Sequence, residues 1–196
     1  RENYDDAQPY MKIEAMLKFV EGIFSGQLQN SPEYMELGTR YLKEVRALSN
    51  PNLDLHWDIC LYTWWKYYQD GEHDKAMQLF DEFKASIKND SEKFYFHICY
   101  TFTCYSLAKF VEVKKYTEIS FSMYEKNQGT MEGLRSKAFL THDLFVNVII
   151  FSSRAQFFLG KLKSSKRLLF EADNAQQKRQ HLPTTFLCHL FNMYVM

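Results

Sequence analysis

Apolar residues recur at helical spacing along almost the whole chain. Between Met11 and Phe24 they fall on one face of a helix, at Ile13, Met16, Leu17, Val20, Ile23 and Phe24. Ser31-Pro32-Glu33 follows, which suits an N-cap and a proline at the first helical position. The next stripe comprises Met35, Leu37, Tyr41, Leu42, Val45 and Leu48 and ends at Ser49-Asn50-Pro51-Asn52. These two stripes predict a first helix pair.

Further stripes predict helices separated by turn-forming residues. A second pair spans about 53–68 and 73–87, broken at Asp70-Gly71, and a third spans about 92–110 and 114–126. A long helical stretch from 131 to 159 ends at Gly160, a helix over 164–180 follows, and Pro183 opens an apparently truncated one. Strand-type alternation persists over five residues in none of these segments. The pattern therefore predicts an all-α fold of about eight to nine helices.

Composition supports the helical interpretation and excludes several classes of protein. Only 7 Gly and 4 Pro are present, too few for a sandwich or barrel of many short strands. The 24 basic and 24 acidic residues cancel, so no global field attracts nucleic acid or an anionic membrane. No apolar run approaches the ~18 residues that span a bilayer, and no signal peptide is recognisable. We therefore expect a protein that does not insert into membranes.

The cysteines and the chain ends add two expectations. The four cysteines form no CxxC pair and no even framework, which is typical of reduced, buried thiols in a cytoplasmic protein. The first residue is Arg rather than Met, and the stretch from Phe186 to Met196 is apolar without a stop signal. We expect a processed protein or a fragment of a longer one.

An internal repeat emerges when the chain is aligned on its helix breaks. The clearest copy places an aromatic before a turn glycine, then a small residue and two further aromatics, at Tyr67, Gly71, Ala76, Phe80 and Phe83. A second copy has Ser153 in its first helix, followed by Gly160, Leu162, Ser165, Leu169 and Ala172. A third, weaker copy lacks the turn glycine and has Tyr116 in place of the small residue, with Cys104, Leu107, Val111 and Val113. The small residue lets two helices approach closely.

The first copy resembles the second half of the tetratricopeptide-repeat (TPR) pattern. The chain resembles a divergent TPR-like array over about 53–180, although its copies lie ~40 to 50 residues apart and a regular TPR repeats every ~34. HEAT-like helix pairs are the alternative. The resemblance implies a right-handed α-solenoid of antiparallel helix pairs. We expect one continuous domain, with a helix pair at 1–50, the array at 51–182 and a terminal helix at 183–196.

In the TPR family the first helix of each pair lines a concave face that meets the ligand. Carried over by offset from the turns, this implies Asp58, Leu61, Trp65, Tyr68 and Gln69 in the second pair. The third pair and the long helix would add Ile98, Thr101, Tyr105, Ala108, Lys109, Asn147, Ile150, Arg154, Phe157 and Phe158. Such a face suits a peptide or helix with apolar anchors and one acidic group. Packing against a neighbouring pair is the competing interpretation for the aromatics, whereas Asn147 and Arg154 interrupt an otherwise apolar helix.

Candidate chemistry is sparse. His56 and Cys60 are four residues apart on a helix, within reach of one metal ion, but no second pair has matching spacing, so we favour a structural role and predict no metal. No GxGxxG or GxxxxGK[ST] loop occurs, and we expect no cofactor. The main cluster of basic residues comprises Lys161, Lys163, Lys166 and Arg167, followed by Lys178 and Arg179. It could bind an acidic protein or an RNA backbone, but we interpret it as the charged outer face of a repeat helix.

These observations favour a non-catalytic scaffold or regulator that binds a protein or peptide. The alternative is a structural subunit or oligomer that associates through the apolar terminal stripe of Phe186, Leu187, Leu190, Phe191 and Tyr194, because a solenoid needs a polar cap at its end. A helical enzyme is disfavoured by the few polar constellations.

Overall fold

The computed structural model describes residues 2–25, 31–49, 55–126 and 144–179. Within these ranges every regular element is a helix and no strand occurs. The helices are α1 (Glu2–Ser25), α2 (Pro32–Leu48), α3 (His56–Gln69), α4 (His73–Gln78), α5 (Phe80–Ala85), α6 (Asp90–Ser106), α7 (Phe110–Lys126), α8 (Leu144–Phe158) and α9 (Leu162–Arg179). Only Leu79 separates α4 from α5. The predicted all-α class is confirmed.

Some sequence predictions concern residues outside the described ranges. These are the helical stretch over 131–143, the terminal helix at 183–196 and the predicted domain boundaries at 50/51 and 182/183. None of the described helices is long and apolar enough to cross a membrane. The right-handed solenoid arrangement of the helix pairs stays a prediction.

The chain divides into two compact units, Arg1–Lys88 (unit 1) and Asn89–Met196 (unit 2). In unit 1, α1, α2 and α3 pack against one another, and α3 also packs against α5. The face of α1 that the sequence predicts as apolar is buried at Ile13, Met16, Leu17, Val20 and Ile23. The rings of Trp57 on α3 and Phe83 on α5 lie 5.9 Å apart, centroid to centroid. Unit 1 is therefore held together by apolar faces at helical spacing.

In unit 2, helix α8 is packed against α6, α7 and α9. A helix packed against three neighbours is buried around most of its circumference over the contacting turns, so an apolar stripe is replaced there by an almost continuous apolar run. All residues from Val146 to Ile150 are accordingly buried. Between α8 and α9, the hydroxyl of Ser153 lies 2.9 Å from the carbonyl oxygen of Ser165, to which it donates, and both serines are fully buried. These small residues permit the close approach that the repeat pattern predicts.

The N-terminus of α6 is capped by a side chain. Asn89 has extended backbone geometry, and its Oδ1 accepts the backbone N–H of Glu92 at 2.9 Å. The first backbone N–H groups of a helix have no partner within the helix, and asparagine is among the best residues to satisfy one of them.

Helices α3, α6 and α8 end in the same backbone motif. After α3, the N–H of Gly71 donates to the carbonyl of Tyr68 at 3.2 Å, and that of Glu72 donates to Tyr67 at 2.9 Å. This pair of bonds is the Schellman motif. The same pair closes α6, from Ala108 to Tyr105 at 3.0 Å and from Lys109 to Cys104 at 2.8 Å, and α8, from Gly160 to Phe157 at 2.9 Å and from Lys161 to Gln156 at 2.8 Å.

The motif requires a left-handed residue at its centre. Gly71 and Gly160 have φ angles of 75° and 74°, and Ala108 has a φ of 55° although it carries a Cβ. The third copy therefore has a turn residue that the sequence did not reveal. Because alanine is not a typical turn residue, the predicted turn near 110–114 lies later in the chain than the observed connection at 107–109.

The three turn residues fix a common register for the following helices. The positions five, nine and twelve residues after the turn are buried in all three copies: Ala76, Phe80 and Phe83; Val113, Thr117 and Ser120; Ser165, Leu169 and Ala172. In the third copy Val113, rather than Tyr116, therefore occupies the position of Ala76. The three copies therefore share the positions of their buried residues more closely than they share residue types.

Candidate functional site

The predicted binding residues on α3 are placed at different depths. Leu61 is buried in the core of unit 1, Gln69 is exposed, and Asp58 is half-buried. The rings of Trp65 and Tyr68, both half-buried, stack with centroids 6.2 Å apart and planes 17° from parallel. The last two turns of α3 thus present a partly exposed aromatic pair.

Two polar residues predicted to meet a partner lie inside unit 2. Thr101 has no exposed surface, and its hydroxyl donates to the carbonyl of His97 at 2.8 Å. Asn147 is 8% exposed on α8. The expectation that its polarity marks an open helix face is corrected, because α8 packs against three helices and Asn147 is enclosed with them. Both side chains contribute to the interior and cannot touch a partner without rearrangement.

The structure does bring Tyr105 of α6 and Arg154 of α8 together. The guanidinium carbon of Arg154 lies 5.6 Å from the centroid of the Tyr105 ring, a distance suited to a cation–π contact. Phe151 packs on the same ring at 4.7 Å in an edge-on arrangement. Both predicted residues are half-buried. Tyr105 also contacts the ring of Phe110 at 5.9 Å, at the start of α7.

An exposed aromatic surface lies where α7 begins and α8 ends. Phe110 and Phe158 stack with centroids 5.0 Å apart and planes within 15°, and Phe157 packs edge-on against Phe158 at 5.9 Å. Phe158 is nevertheless 57% exposed, Phe157 39% and Val111 67%. We call Lys109, Phe110, Val111, Phe157 and Phe158 the hairpin-end surface, because the connections α6–α7 and α8–α9 meet there.

Sequence reasoning identified only part of the hairpin-end surface. Lys109, Phe157 and Phe158 were predicted from the repeat offsets, whereas Phe110 and Val111 were missed. The sequence pattern places Phe110 at the end of one helix and Val111 in a connection, because alanine at position 108 is not a typical turn residue. The signal that finds them is the similarity of Leu107-Ala108-Lys109 to Leu159-Gly160-Lys161.

Positive charge lies close to this surface. Lys161 occupies the same position after Gly160 that Lys109 occupies after Ala108, and both are exposed. The predicted basic cluster is exposed as well, at Lys161, Lys163, Lys166 and Arg167. Arg167 lies 3.5 Å from the carboxylate of Glu171 in an exposed pair that contributes little stability.

Outside the predicted surface, three potential ligand groups converge in unit 1. His56 and Cys60 of α3 are joined by Glu82 of α5, and their donor atoms lie close to one another. The sequence showed the first two residues, but the third comes from another helix 22 positions after Cys60. No local pattern links a glutamate at that separation to the pair.

This cluster does not have the geometry of an activated nucleophile. In a catalytic relay the thiol and the carboxylate bind opposite ring nitrogens, whereas here Cys60 and Glu82 both approach Nε2 of His56, each at 3.7 Å. Burial, followed by the nearby Glu82 charge, raises the pKa of the Cys60 thiol to about 12. Very little reactive thiolate is therefore present near neutral pH.

Comparison with protein-family models, with curated proteins and with solved structures finds no significant match for the chain. In the described ranges, the fold defines an all-helical protein of two units in which short connections join packed helices.

Proposed function

We propose that the chain is a non-catalytic, TPR-like scaffold that binds a protein or peptide, and that the hairpin-end surface contacts the partner. The observation that carries the proposal is the state of Phe158, which is stacked on Phe110 yet 57% exposed. Large contiguous apolar patches are uncommon on monomeric soluble proteins, and they often mark interaction sites.

The hairpin-end surface is suited to binding because its rings are fixed before a partner arrives. Phe158 is held between Phe110 and Phe157, and Phe110 also contacts the ring of Tyr105 at 5.9 Å. A rotamer already fixed by neighbours loses little conformational entropy on binding, which otherwise costs about 0.5–1.5 kcal/mol per side chain. Aromatic anchors of this kind dominate the binding energy of many interfaces.

The charges around the surface indicate the chemistry of the partner. Lys109, Lys161 and Lys163 are exposed and form no ion pair with the other described residues. A partner with one or two carboxylates beside an apolar anchor would complement these three lysines. The proposed ligand is therefore an acidic peptide or helix with Phe, Leu or Trp anchors.

Selection of peptides from a random display library on the full chain tests the proposal. We expect enriched sequences to combine aromatic or aliphatic residues with Asp or Glu. Phe158→Ala should weaken binding of the selected peptide at least about fivefold, since loss of an aromatic anchor costs roughly 1–2 kcal/mol or more. Fluorescence anisotropy measures the affinity, and higher salt should weaken it because surface charges are screened.

Phe170→Ala is the matched control. Phe170 is 67% exposed on α9 but lies outside the hairpin-end surface, so its loss should leave affinity unchanged. Equal affinity of the wild type and Phe158→Ala, or no enrichment at all, would contradict the proposal. Self-association through residues 186–194 lies outside the described ranges, and sedimentation equilibrium tests it independently.

A further inference from the structure

We propose that His56, Cys60 and Glu82 form a binding site for a divalent transition-metal ion, with zinc as the best match to their donor atoms. The site lies within unit 1 and is separate from the hairpin-end surface. It would hold the ion through one imidazole nitrogen, one thiolate sulfur and one carboxylate oxygen. A water molecule would complete four-coordination.

The spacing of the donor atoms carries the proposal. Nε2 of His56 lies 3.7 Å from Sγ of Cys60 and 3.7 Å from Oε1 of Glu82, and Sγ lies 3.9 Å from the same Oε1. Zinc bonds of about 2.0–2.3 Å at tetrahedral angles separate their donor atoms by about 3.4–3.6 Å. An ion at the centre of the observed triangle lies about 2.2 Å from each atom, within the range of zinc–ligand bonds. A contraction of a few tenths of an ångström gives the tetrahedral spacing.

The fold positions these groups without the ion. His56 and Cys60 are one turn apart on the same face of α3, and Glu82 reaches them from α5, which packs against α3. His56 is 4% exposed and Cys60 is fully buried, so neither side chain has room to swing away. Buried polar atoms normally have a partner, yet Nδ1 of His56 has none in the described structure. The polar groups that contact the imidazole are therefore the Cys60 thiol and the Glu82 carboxylate, both at Nε2.

Arg46 influences both the carboxylate and the thiol. Arg46 of α2 donates to Oε2 of Glu82 at 2.6 Å, which leaves Oε1 directed toward His56 and Cys60. The positive charge of Arg46 also lowers the pKa of the Cys60 thiol, against the dominant effect of burial. Groups that orient ligands from behind are a regular part of metal sites.

The charges change in a defined way when an ion binds. Without the ion the thiol keeps its proton, and the carboxylate is balanced by Arg46. Binding of a divalent cation displaces the thiol proton into solvent, so one proton leaves for each ion bound. The site then carries one additional positive charge, which the partial exposure of Glu82 and Arg46 allows solvent to screen.

The mixed donor set favours zinc. Sulfur and imidazole nitrogen disfavour calcium and magnesium, which take oxygen ligands. Three protein ligands with one open position are common for zinc, and its lack of a geometric preference tolerates mixed donors. Cobalt(II) binds similar donor sets and reports them by its absorption, which makes it a useful probe.

The experiment is titration of the chelator-treated full chain with cobalt(II), followed by displacement with zinc. We expect one ion per chain, with a thiolate-to-cobalt charge-transfer band that zinc abolishes, and release of one proton per ion. The apparent zinc affinity should rise about tenfold per pH unit between pH 7 and 8.5, because the thiol proton competes with the ion. Cys60→Ser should remove the band.

Glu82→Gln keeps the size of the side chain, so it tests the site even where Cys60→Ser fails to fold. It should lower zinc affinity roughly 100-fold or more, since loss of groups behind the ligands already costs 10–100-fold. Cys99→Ala, Cys188→Ala and Glu72→Gln are controls that should retain one ion and the full band. Circular dichroism checks the helix content of each variant.

Several results would overturn the proposal. They are no bound ion after chelator treatment and titration, cobalt binding without a charge-transfer band, and unchanged affinity in Glu82→Gln. Loss of the band in Cys188→Ala together with its retention in Cys60→Ser would also do so, because it would assign the ion to another thiol.

Discussion

Replacing Ala108 with glycine should stabilise unit 2. Ala108 is exposed and has a φ of 55°, in the left-handed region that Cβ-bearing residues adopt at a cost. The connection Leu107-Ala108-Lys109 differs only at its centre from Leu159-Gly160-Lys161, which forms the same motif around glycine. Ala108→Gly therefore converts one turn into the sequence of the other and removes no buried side chain.

The expected gain is a difference of two terms. Relief of the left-handed Cβ contact contributes about 1–2 kcal/mol. Glycine gives the unfolded chain more freedom, which offsets about 0.4–1 kcal/mol of that gain. The midpoints of these two ranges differ by about 0.8 kcal/mol, which is the expected rise in the free energy of unfolding. For a cooperative unit of about 100 residues this corresponds to an increase in Tm of roughly 2–8 °C.

Urea unfolding followed by circular dichroism measures the change, with the m-value expected to stay constant. Gly160→Ala is the reciprocal variant and should lose a similar amount, because a Cβ added there meets nothing within 4 Å and only the backbone opposes it. Ala15→Gly, at an exposed position within α1, should lower stability by about 1 kcal/mol because that backbone is helical. If Ala108→Gly and Ala15→Gly both destabilise, the left-handed account of the α6–α7 turn is wrong.

Two further predictions concern unit 2. Asn89→Ala should lower the free energy of unfolding by about 1 kcal/mol, because the N–H of Glu92 loses its cap. Asn89→Asp should retain most of this stability, since aspartate also caps helices well. Urea midpoints of the two variants measure the difference. Burial raises the pKa of the Cys104 thiol to about 11 from about 9, so the unfolded chain loses this proton first as pH rises. The stability that the protonated Cys104 thiol contributes is fully present below about pH 9 and is lost as the pH rises toward about 11. Urea midpoints should therefore fall between about pH 9 and 11 in the wild type, and they should fall less in Cys104→Ala. Equal falls in both proteins would contradict the assignment to Cys104.

Sequence periodicity predicted helices such as α1 well because they bury one face. The stripe on α1 and the small residues Ala76 and Ser165 are buried as expected. Glycine predicted two of the three Schellman turns, because glycine adopts the positive φ that these turns require. The alanine turn carries no such mark, and the register of α7 was therefore misjudged by several residues.

The candidate sites were less predictable because they depend on contacts between helices. The polarity of Asn147 pointed to an open face, but α8 is enclosed by three neighbours. Glu82 lies beside His56 and Cys60 because α5 packs on α3, and the spacing of residues along the chain does not predict that contact. Arg154 and Tyr105 were predicted separately, and the structure shows that they meet.

The alanine turn also bears on how such a chain can change over generations. A glycine codon and an alanine codon differ by a single base, and the substitution at a left-handed position costs only on the order of 1 kcal/mol, a loss that a stable domain survives. Duplicated hairpins can therefore lose their glycine while keeping both backbone bonds and the three buried positions. An evolutionary relationship between such hairpins would be detected better by comparing the pattern of buried positions along the helices than by comparing residue identities.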